Sequence, residues 1–283
     1  MAMKRIAIIT GASSGMGTEF TKELFLNSEN YKFGKFDEIW ILARRSDRLK
    51  NLKYDLEKAA ENNCSKEYPE ITAIEIDLSG TKGVTAFNAI LKTTKKVESK
   101  NGGFEIGLLV NNAGFGTYGE FTETPLDKEL EMIDTNCSTL TGLCGLAIPF
   151  MNEKSTIINV ASLAAFLPLG NFAVYAATKS YVLSFSVALA AELKDKGIHV
   201  LAMCPGSVST EFANVASNGA RKEVLHGYPA DKTVKHALKC ASNKKHIALW
   251  AHKWKITAFF SRFIGRFFGA RFTFIHNKRP YRK

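Results

Sequence analysis

An apolar run near the N-terminus, Arg5-Ile6-Ala7-Ile8-Ile9-Thr10, passes directly into Gly11-Ala12-Ser13-Ser14-Gly15-Met16-Gly17. A β-rich run closed by a glycine turn reads as a buried strand. Residues 18–27 that follow have a helical pattern. This opening restricts the chain to folds in which a strand feeds a helix through a tight turn. The same rhythm continues, with strand candidates at 38–42, 71–76, 107–110, 156–160 and 200–204 and a short edge candidate at 246–250. Helical stretches separate them, including one expected from Ser46 to Asn62 and others starting near Ser79 and Ala230. Strictly alternating strands and helices imply a parallel sheet with right-handed crossovers. The expected architecture is therefore α/β: one doubly wound parallel sheet with helices on both faces, covering residues 1–250. A basic helical extension is expected over 251–283. The link at 27–37 is longer than a helix-to-strand connection needs.

The glycine turn has a chemical reading as well as a structural one. Glycines let the backbone approach a pyrophosphate, and the following helix N-terminus supplies free N–H groups and partial positive charge. A strand–glycine loop–helix context supports a dinucleotide site, although the spacing here is GxxxGxG and not GxGxxG. The next strand ends in Ala43-Arg44-Arg45. An acid at that point binds the ribose 2′-OH of NAD, whereas Arg suits the 2′-phosphate of NADP. With Ala43 in the acid's place, NADP(H) is the expected cofactor and Arg44 its main phosphate ligand, with Arg45 beside it. Asp77 has two readings, the adenine edge of the nucleotide or a cap for the helix near Ser79.

Tyr175 and Lys179 are separated by one helical turn, so they share a face. A free Tyr titrates near ~10 and is a poor proton carrier at neutral pH. An adjacent ammonium stabilises the phenolate and lowers that value. Ser162 lies thirteen residues before Tyr175 and is placed to hydrogen-bond a substrate oxygen. The trio is suited to moving a proton to or from a carbonyl.

These motifs occur in a fixed order along nearly the whole chain: Thr10-Gly11-x3-Gly15-x-Gly17, Asp77-Leu78, Asn111-Asn112-Ala113-Gly114, Asn136, Ser162, Tyr175-x3-Lys179 and Pro205-Gly206-x-Val208-x-Thr210. In that order and spacing the chain resembles the short-chain dehydrogenases/reductases, and is similar to those acting on ketosteroids and other lipophilic carbonyls. The resemblance implies a Rossmann-type fold. It makes Tyr175 the acid/base and has Lys179 bind the nicotinamide ribose. It has Ser162 polarise the carbonyl and Asn136 bend its helix and hold a relay water. It implies that Asn111 braces the central strand. Gly11, Ser13, Ser14, Gly15, Met16, Gly17, Asp77, Leu78, Asn112, Ala113, Gly114, Pro205, Gly206, Val208 and Thr210 are implied as cofactor contacts. A homo-oligomer is expected.

Composition excludes several other classes. The five cysteines show no CxxC and no His at metal spacing, so no metal site is expected and a reducing, cytoplasmic setting fits. No secretory leader is read at residues 1–5, and the uncharged run 155–178 is too interrupted for a membrane span. Of the 38 Lys and Arg, 14 fall in residues 232–283, with none of the 27 Asp and Glu. The preceding residues thus hold 24 basic and 27 acidic side chains, a net −3. Nucleic acid is not an expected partner, since charge alone points to it.

Within the basic tail, residues 254–269 read as one helix. Its apolar stripe is Ile256, Phe259, Phe260, Phe263, Ile264, Phe267 and Phe268, with Lys255, Arg262 and Arg266 on one flank and Trp250 and Trp254 nearby. The uses that stay open are packing on the domain or roofing the substrate pocket, contact with a subunit, or peripheral contact with a membrane surface through 254–283. The substrate lid is expected at 211–228, with Phe212, Val215, Leu225 and Tyr228. Phe115, Tyr118, Leu163, Phe166, Leu167 and Leu169 come from neighbouring loops. This composition suits a lipophilic carbonyl or alcohol, with only Arg221 and Lys222 available to meet an anion. The expected activity is NADP(H)-dependent interconversion of a lipophilic ketone or aldehyde and its alcohol. The alternative is a non-catalytic NADP-binding protein docked through its cationic C-terminus.

Overall fold

The computed structural model describes residues 3–61, 66–222, 224 and 227–282. Met1, Ala2, the expected helix end at Asn62, Cys64 and the lid residue Leu225 lie outside the described residues. Seven strands form one sheet: β1 (Lys4–Thr10), β2 (Glu38–Ala43), β3 (Glu70–Glu75), β4 (Phe104–Asn111), β5 (Thr156–Val160), β6 (His199–Met203) and β7 (Ile247–Ala248). Their order is β3-β2-β1-β4-β5-β6-β7 and every pairing is parallel. The helices are α1 (Gly15–Asn27), α2 (Ser46–Glu61), α3 (Gly80–Glu98), α4 (Leu126–Ile133), α5 (Leu140–Ala147), α6 (Ala173–Glu192), α7 (Phe212–Ala216), α8 (Ala230–Ser242), α9 (His252–Phe260) and α10 (Arg266–His276).

Successive strand side chains point to opposite faces, and both faces are apolar. Ala7 and Ile9 of β1 and Ile39 and Ile41 of β2 enter one core with Phe20 and Leu24 of α1, Leu49 of α2 and Leu238 of α8. Ile6, Ile8, Trp40 and Leu42 enter the other with Phe87 of α3, Leu143 of α5 and Val182 of α6. Each fully buried side chain of this size contributes about 1.5–3 kcal/mol. The chain runs outward from β1 to β3, then returns across β1 to β4. The strand order therefore reverses between β1 and β4, and a crevice opens above their carboxyl ends, where ligands bind in such sheets.

The long link at 27–37 is structural. It forms a short 3-10 turn at Ser28–Asn30, then buries Tyr31, Phe33 and Phe36 in the first core. The Tyr31 hydroxyl donates to Glu23 Oε1 at 2.7 Å. Between α4 and α5 the helix widens into a π-turn, Asp134–Thr139, with Asn136 at its centre.

The tail departs from its expected form. The single helix over 254–269 is two, because the chain is extended at Ile264 and Gly265 between α9 and α10. The apolar stripe does not pack on the domain. Ile256, Phe259, Phe260, Ile264 and Phe268 are exposed, and Phe263 and Phe267 are 74% and 83% exposed. What packs inward is the small face: Ala258, Ser261, Gly269 and Thr273. A Cβ on Gly269 would lie 2.7 Å from the Leu167 side chain, which would have to shift to admit it. The Thr273 hydroxyl accepts from Gly170 N at 2.9 Å. Trp250 and Trp254 do not join the exposed stripe. Trp250 meets Tyr228 edge-on at 4.9 Å, and the Trp254 ring covers Gly206, where a Cβ would sit 2.4 Å away.

Candidate active site

Nearly all the expected site residues line one cleft of about 1070 Å³ over the β1–β4 crevice; Gly17 and Asn136 stand behind its wall. Its floor is the glycine loop. Gly11 and Gly15 have φ of +66° and +55°, conformations that L side chains rarely adopt. A Cβ on Gly17 would lie 2.1 Å from the Gly11 carbonyl oxygen, so no other residue allows this close turn. Asn112 fixes the loop from β4, its amide donating to Thr10 O at 3.0 Å and Gly11 O at 3.2 Å. Ser14 caps α1 without a side-chain bond, and no acid lies in the first helical turn. The helix N-terminus thus presents free N–H groups and partial positive charge to the cleft.

Both arginines at the end of β2 line the cleft, in different settings. Arg44, the expected phosphate ligand, is mostly exposed and faces Glu131 at 3.7 Å. Arg45 reaches back to the loop instead: Nε donates to Ser13 Oγ at 3.2 Å and NH2 to Ser14 Oγ at 2.7 Å. Glu211 holds both Arg45 NH1, at 3.1 Å, and Arg48 NH1, at 2.7 Å. Those partners, Arg48 first, lower the Glu211 carboxyl below its usual range. Sequence reasoning missed Arg48 and Glu211; the i, i+3 spacing of Arg45 and Arg48 was the available signal, but the lid that brings Glu211 over them is a tertiary feature. Asp77 accepts from Ser79 N and Ser79 Oγ, at 3.1 and 2.8 Å, forming a turn just ahead of α3 while lining the cleft.

Tyr175 and Lys179 lie on the buried face of α6, with Lys179 Nζ 5.6 Å from the Tyr175 ring centre. Ser162 ends the loop after β5, and its Oγ accepts from Ala164 N at 3.1 Å. That leaves the Ser162 O–H free to donate, and its hydrogen bond to Tyr175 pulls the phenol down. Burial is the larger influence and holds Tyr175 well above its usual value. Arg279, not Lys179, is the cation that lowers the phenol here. Lys179 is itself desolvated, its ammonium donates to Val160 O at 2.8 Å, and burial pulls it down to about 8.

Asn136 is fully engaged by its neighbours. Nδ2 donates to Phe115 O at 2.9 Å and Thr178 Oγ1 at 3.1 Å, and Oδ1 accepts from Phe115 N at 3.1 Å. It braces the corner at Gly114, where a Cβ would lie 2.6 Å from Asn136 Oδ1. Asn111 ties β4 to β5 through Asn159 Oδ1 at 2.8 Å.

Above Tyr175 the cleft is aromatic. Phe172 stacks on it at 4.1 Å, and Phe212 and Tyr118 close the same cluster. Phe115, Leu163, Phe166, Leu167, Leu169 and Val215 line this end as expected, but Tyr228 packs on Trp250 instead. The cleft also contains cations, of which Arg221 was expected from the lid and Lys278 and Arg279 were not. Lys278 and Arg279 arrive from the tail beyond α10, and Arg221 from the lid. No local pattern marks Lys278 and Arg279, because the tail folds back over a hundred residues of separation to reach Gly170.

Fold and cleft together define an oxidoreductase of the dinucleotide-binding class. The family is the short-chain dehydrogenases: residues 5–220 match its family model, and the chain belongs to it. Very-long-chain 3-oxoacyl-CoA reductase of Rattus norvegicus is 32% identical over 240 residues, 82% of this chain and 67% of that protein. The 17-beta-hydroxysteroid dehydrogenase type 3 of Mus musculus is 27% identical, over 84% of this chain and 69% of its own. Among solved structures, a short-chain dehydrogenase from Sphingobium yanoikuyae in complex with NADPH superposes with a TM-score of 0.72. It is 25% identical and covers 90% of this chain and 92% of that one. The chain is thus an oxidoreductase of CH–OH groups.

Proposed function

We propose that this protein uses NADP(H) to interconvert a lipophilic ketone or aldehyde and its alcohol, with Tyr175 as acid/base. The observation that carries this reading is the convergence of Tyr175, Ser162 and Lys179 on the wall of one cleft opposite the glycine loop. The relatives named for 3-oxoacyl-CoA and hydroxysteroid chemistry support it. In reduction, Ser162 donates to the carbonyl oxygen and Tyr175 delivers the proton as charge develops there. Lys179 then stabilises the phenolate, and its remaining N–H groups suit the nicotinamide ribose. Bound NADPH would supply the hydride to the carbonyl carbon. An assay following nucleotide absorbance over a panel of hydrophobic ketones tests the reading; no turnover with any of them would sink it.

The preference for NADP rests on Arg45 with Arg44 at the end of β2. A charge-assisted Arg–phosphate bond is worth about 1.5–3 kcal/mol, or roughly ten- to hundredfold in affinity. Arg45→Ala is expected to weaken NADPH by that factor and NADH by distinctly less, measured by fluorescence titration. Equal losses would remove the assignment.

A second element of the reading is contact with an anionic membrane surface. The exposed Phe263, Phe267 and Phe268 lie in the tail that carries 14 Lys and Arg and no acid. Apolar area plus basic flanks is the composition of an interfacial helix, and each Lys or Arg near anionic headgroups adds about 1 kcal/mol. The full chain should sediment with phosphatidylserine vesicles. The triple variant Phe263→Gln, Phe267→Gln, Phe268→Gln should stay in the supernatant while remaining folded, because these side chains face solvent. Equal pelleting ends the idea.

A further inference from the structure

The roof of the cleft contains two guanidinium groups that the proton-transfer chemistry does not use. Arg279 Cζ lies 5.1 Å from the Phe172 ring centre, and that ring stacks 4.1 Å from Tyr175. The guanidinium is therefore no farther from the Tyr175 ring than those two separations together. Arg221 Cζ and Arg279 Cζ lie 5.8 and 6.0 Å from the same Tyr118 ring. Two cations are thus gathered about one aromatic wall of the substrate end.

Their other bonds go to backbone oxygens. Arg279 NH1 donates to Gly170 O at 3.3 Å, and Arg221 NH2 donates to Lys278 O at 2.9 Å. Among the described residues neither meets a carboxylate; the nearby Glu120 faces Lys278 Nζ at 3.8 Å. Burial, and then the Arg221 charge, hold the Arg279 guanidinium below its usual value. A half-buried cation with spare donors and a like-charged neighbour is stabilised when an anion joins it.

We propose that Arg279, with Arg221 beside it, is a binding site for a carboxylate that the substrate carries a few bonds from its reacting carbonyl. The ligand class is an oxo acid with an apolar tail, the tail lying along Leu163, Phe166 and Leu167. The short path from Arg279 to Tyr175 selects this class. The inference deepens the carbonyl-reductase reading and rests on it.

The test compares 4-oxododecanoate with its methyl ester in wild type, Arg279→Gln, Arg279→Lys and Arg221→Gln. Two readouts are taken: kcat/KM, and calorimetric binding to the enzyme–NADPH complex. Wild type should prefer the acid by roughly ten- to hundredfold. Arg279→Gln should abolish that preference, the loss falling on the acid at least tenfold more than on the ester, Arg279→Lys should keep part of it, and Arg221→Gln should reduce it. Equal handling of acid and ester by wild type overturns the site, and so does a parallel loss of both in Arg279→Gln, which marks a purely structural contact. If neither compound is turned over, the reductase reading fails separately, and binding of the acid over the ester still decides the clamp.

Discussion

Tyr175→Phe should lower kcat by about 10²–10⁴-fold, the range that a positioned general acid supplies, while leaving NADPH affinity within about twofold of wild type. The asymmetry follows from the geometry. The phenol ring is packed between Phe172 and Phe212, at 4.1 and 5.4 Å, and Phe keeps that packing. What is removed is one hydroxyl that hydrogen-bonds Ser162. Burial raises the phenol and Ser162 lowers it, so Tyr175 rests protonated at neutral pH, ready to donate in reduction. Oxidation requires the phenolate, so its rate should climb with pH further than that of reduction. Stopped-flow turnover and nucleotide titration on the two proteins check the expectation. A variant that keeps its turnover would leave a non-catalytic nucleotide-binding protein as the better reading.

The second large effect concerns stability. Lys179→Met should make the protein more resistant to urea at pH 7 by up to about 3 kcal/mol, and should impair turnover. Burial lowers Lys179 from 10.5 to about 8, and each unit is worth about 1.36 kcal/mol. Below pH 8 the lysine is charged in both folded and unfolded chains, so the folded state bears the full desolvation penalty. Between pH 8 and 10.5 the folded lysine is neutral and the unfolded one still charged, so the unfolded state binds more protons and stability rises with pH. Above 10.5 both are neutral and the penalty is gone. The advantage of the Met variant should therefore be greatest below pH 8 and close by about pH 10.5, less the bond to Val160 O, worth about 1 kcal/mol. Urea midpoints for both proteins at pH 7 and pH 10, without added nucleotide, measure it. An advantage that stays constant with pH would contradict desolvation of the ammonium as its cause. A lysine held at this cost is what a stability–activity trade-off predicts for a working site.

Local order in the chain made much of this legible. The strand–glycine–helix opening, the alternation that sets a parallel sheet, and the Tyr175–Lys179 spacing all act within a few residues, so short-range pattern records them. Most of the candidate site residues share one cleft because turns and helix faces place them with little freedom. Gly17 is read from the sequence for the same reason that it cannot be replaced: the turn has no room for a Cβ.

Pattern also misled where two local signals competed. The stripe from Ile256 to Phe268 has perfect helical spacing, yet Gly265 breaks the helix, and the face that packs is the small one, Ala258, Gly269 and Thr273. Periodicity identifies an apolar face but not which face finds a partner. Likewise the Ala43-Arg44-Arg45 ending places both arginines at the cleft but does not say which of them turns back to the glycine loop. The choice was made by Ser13, Ser14 and Glu211, which reach Arg45 across 166 positions of sequence at the farthest.

The residues by themselves determined the sheet, the glycine turn and the placing of Ser162, Tyr175 and Lys179 at its crevice, because each depends largely on contacts between near neighbours. Only the tertiary structure decided the charge environment of that trio and what lies over it. Desolvation sets the titration of Tyr175 and Lys179, and burial is a property of the packed whole. Arg279 reaches Phe172 because the tail folds back across the substrate end, a closure between distant segments that no local pattern encodes.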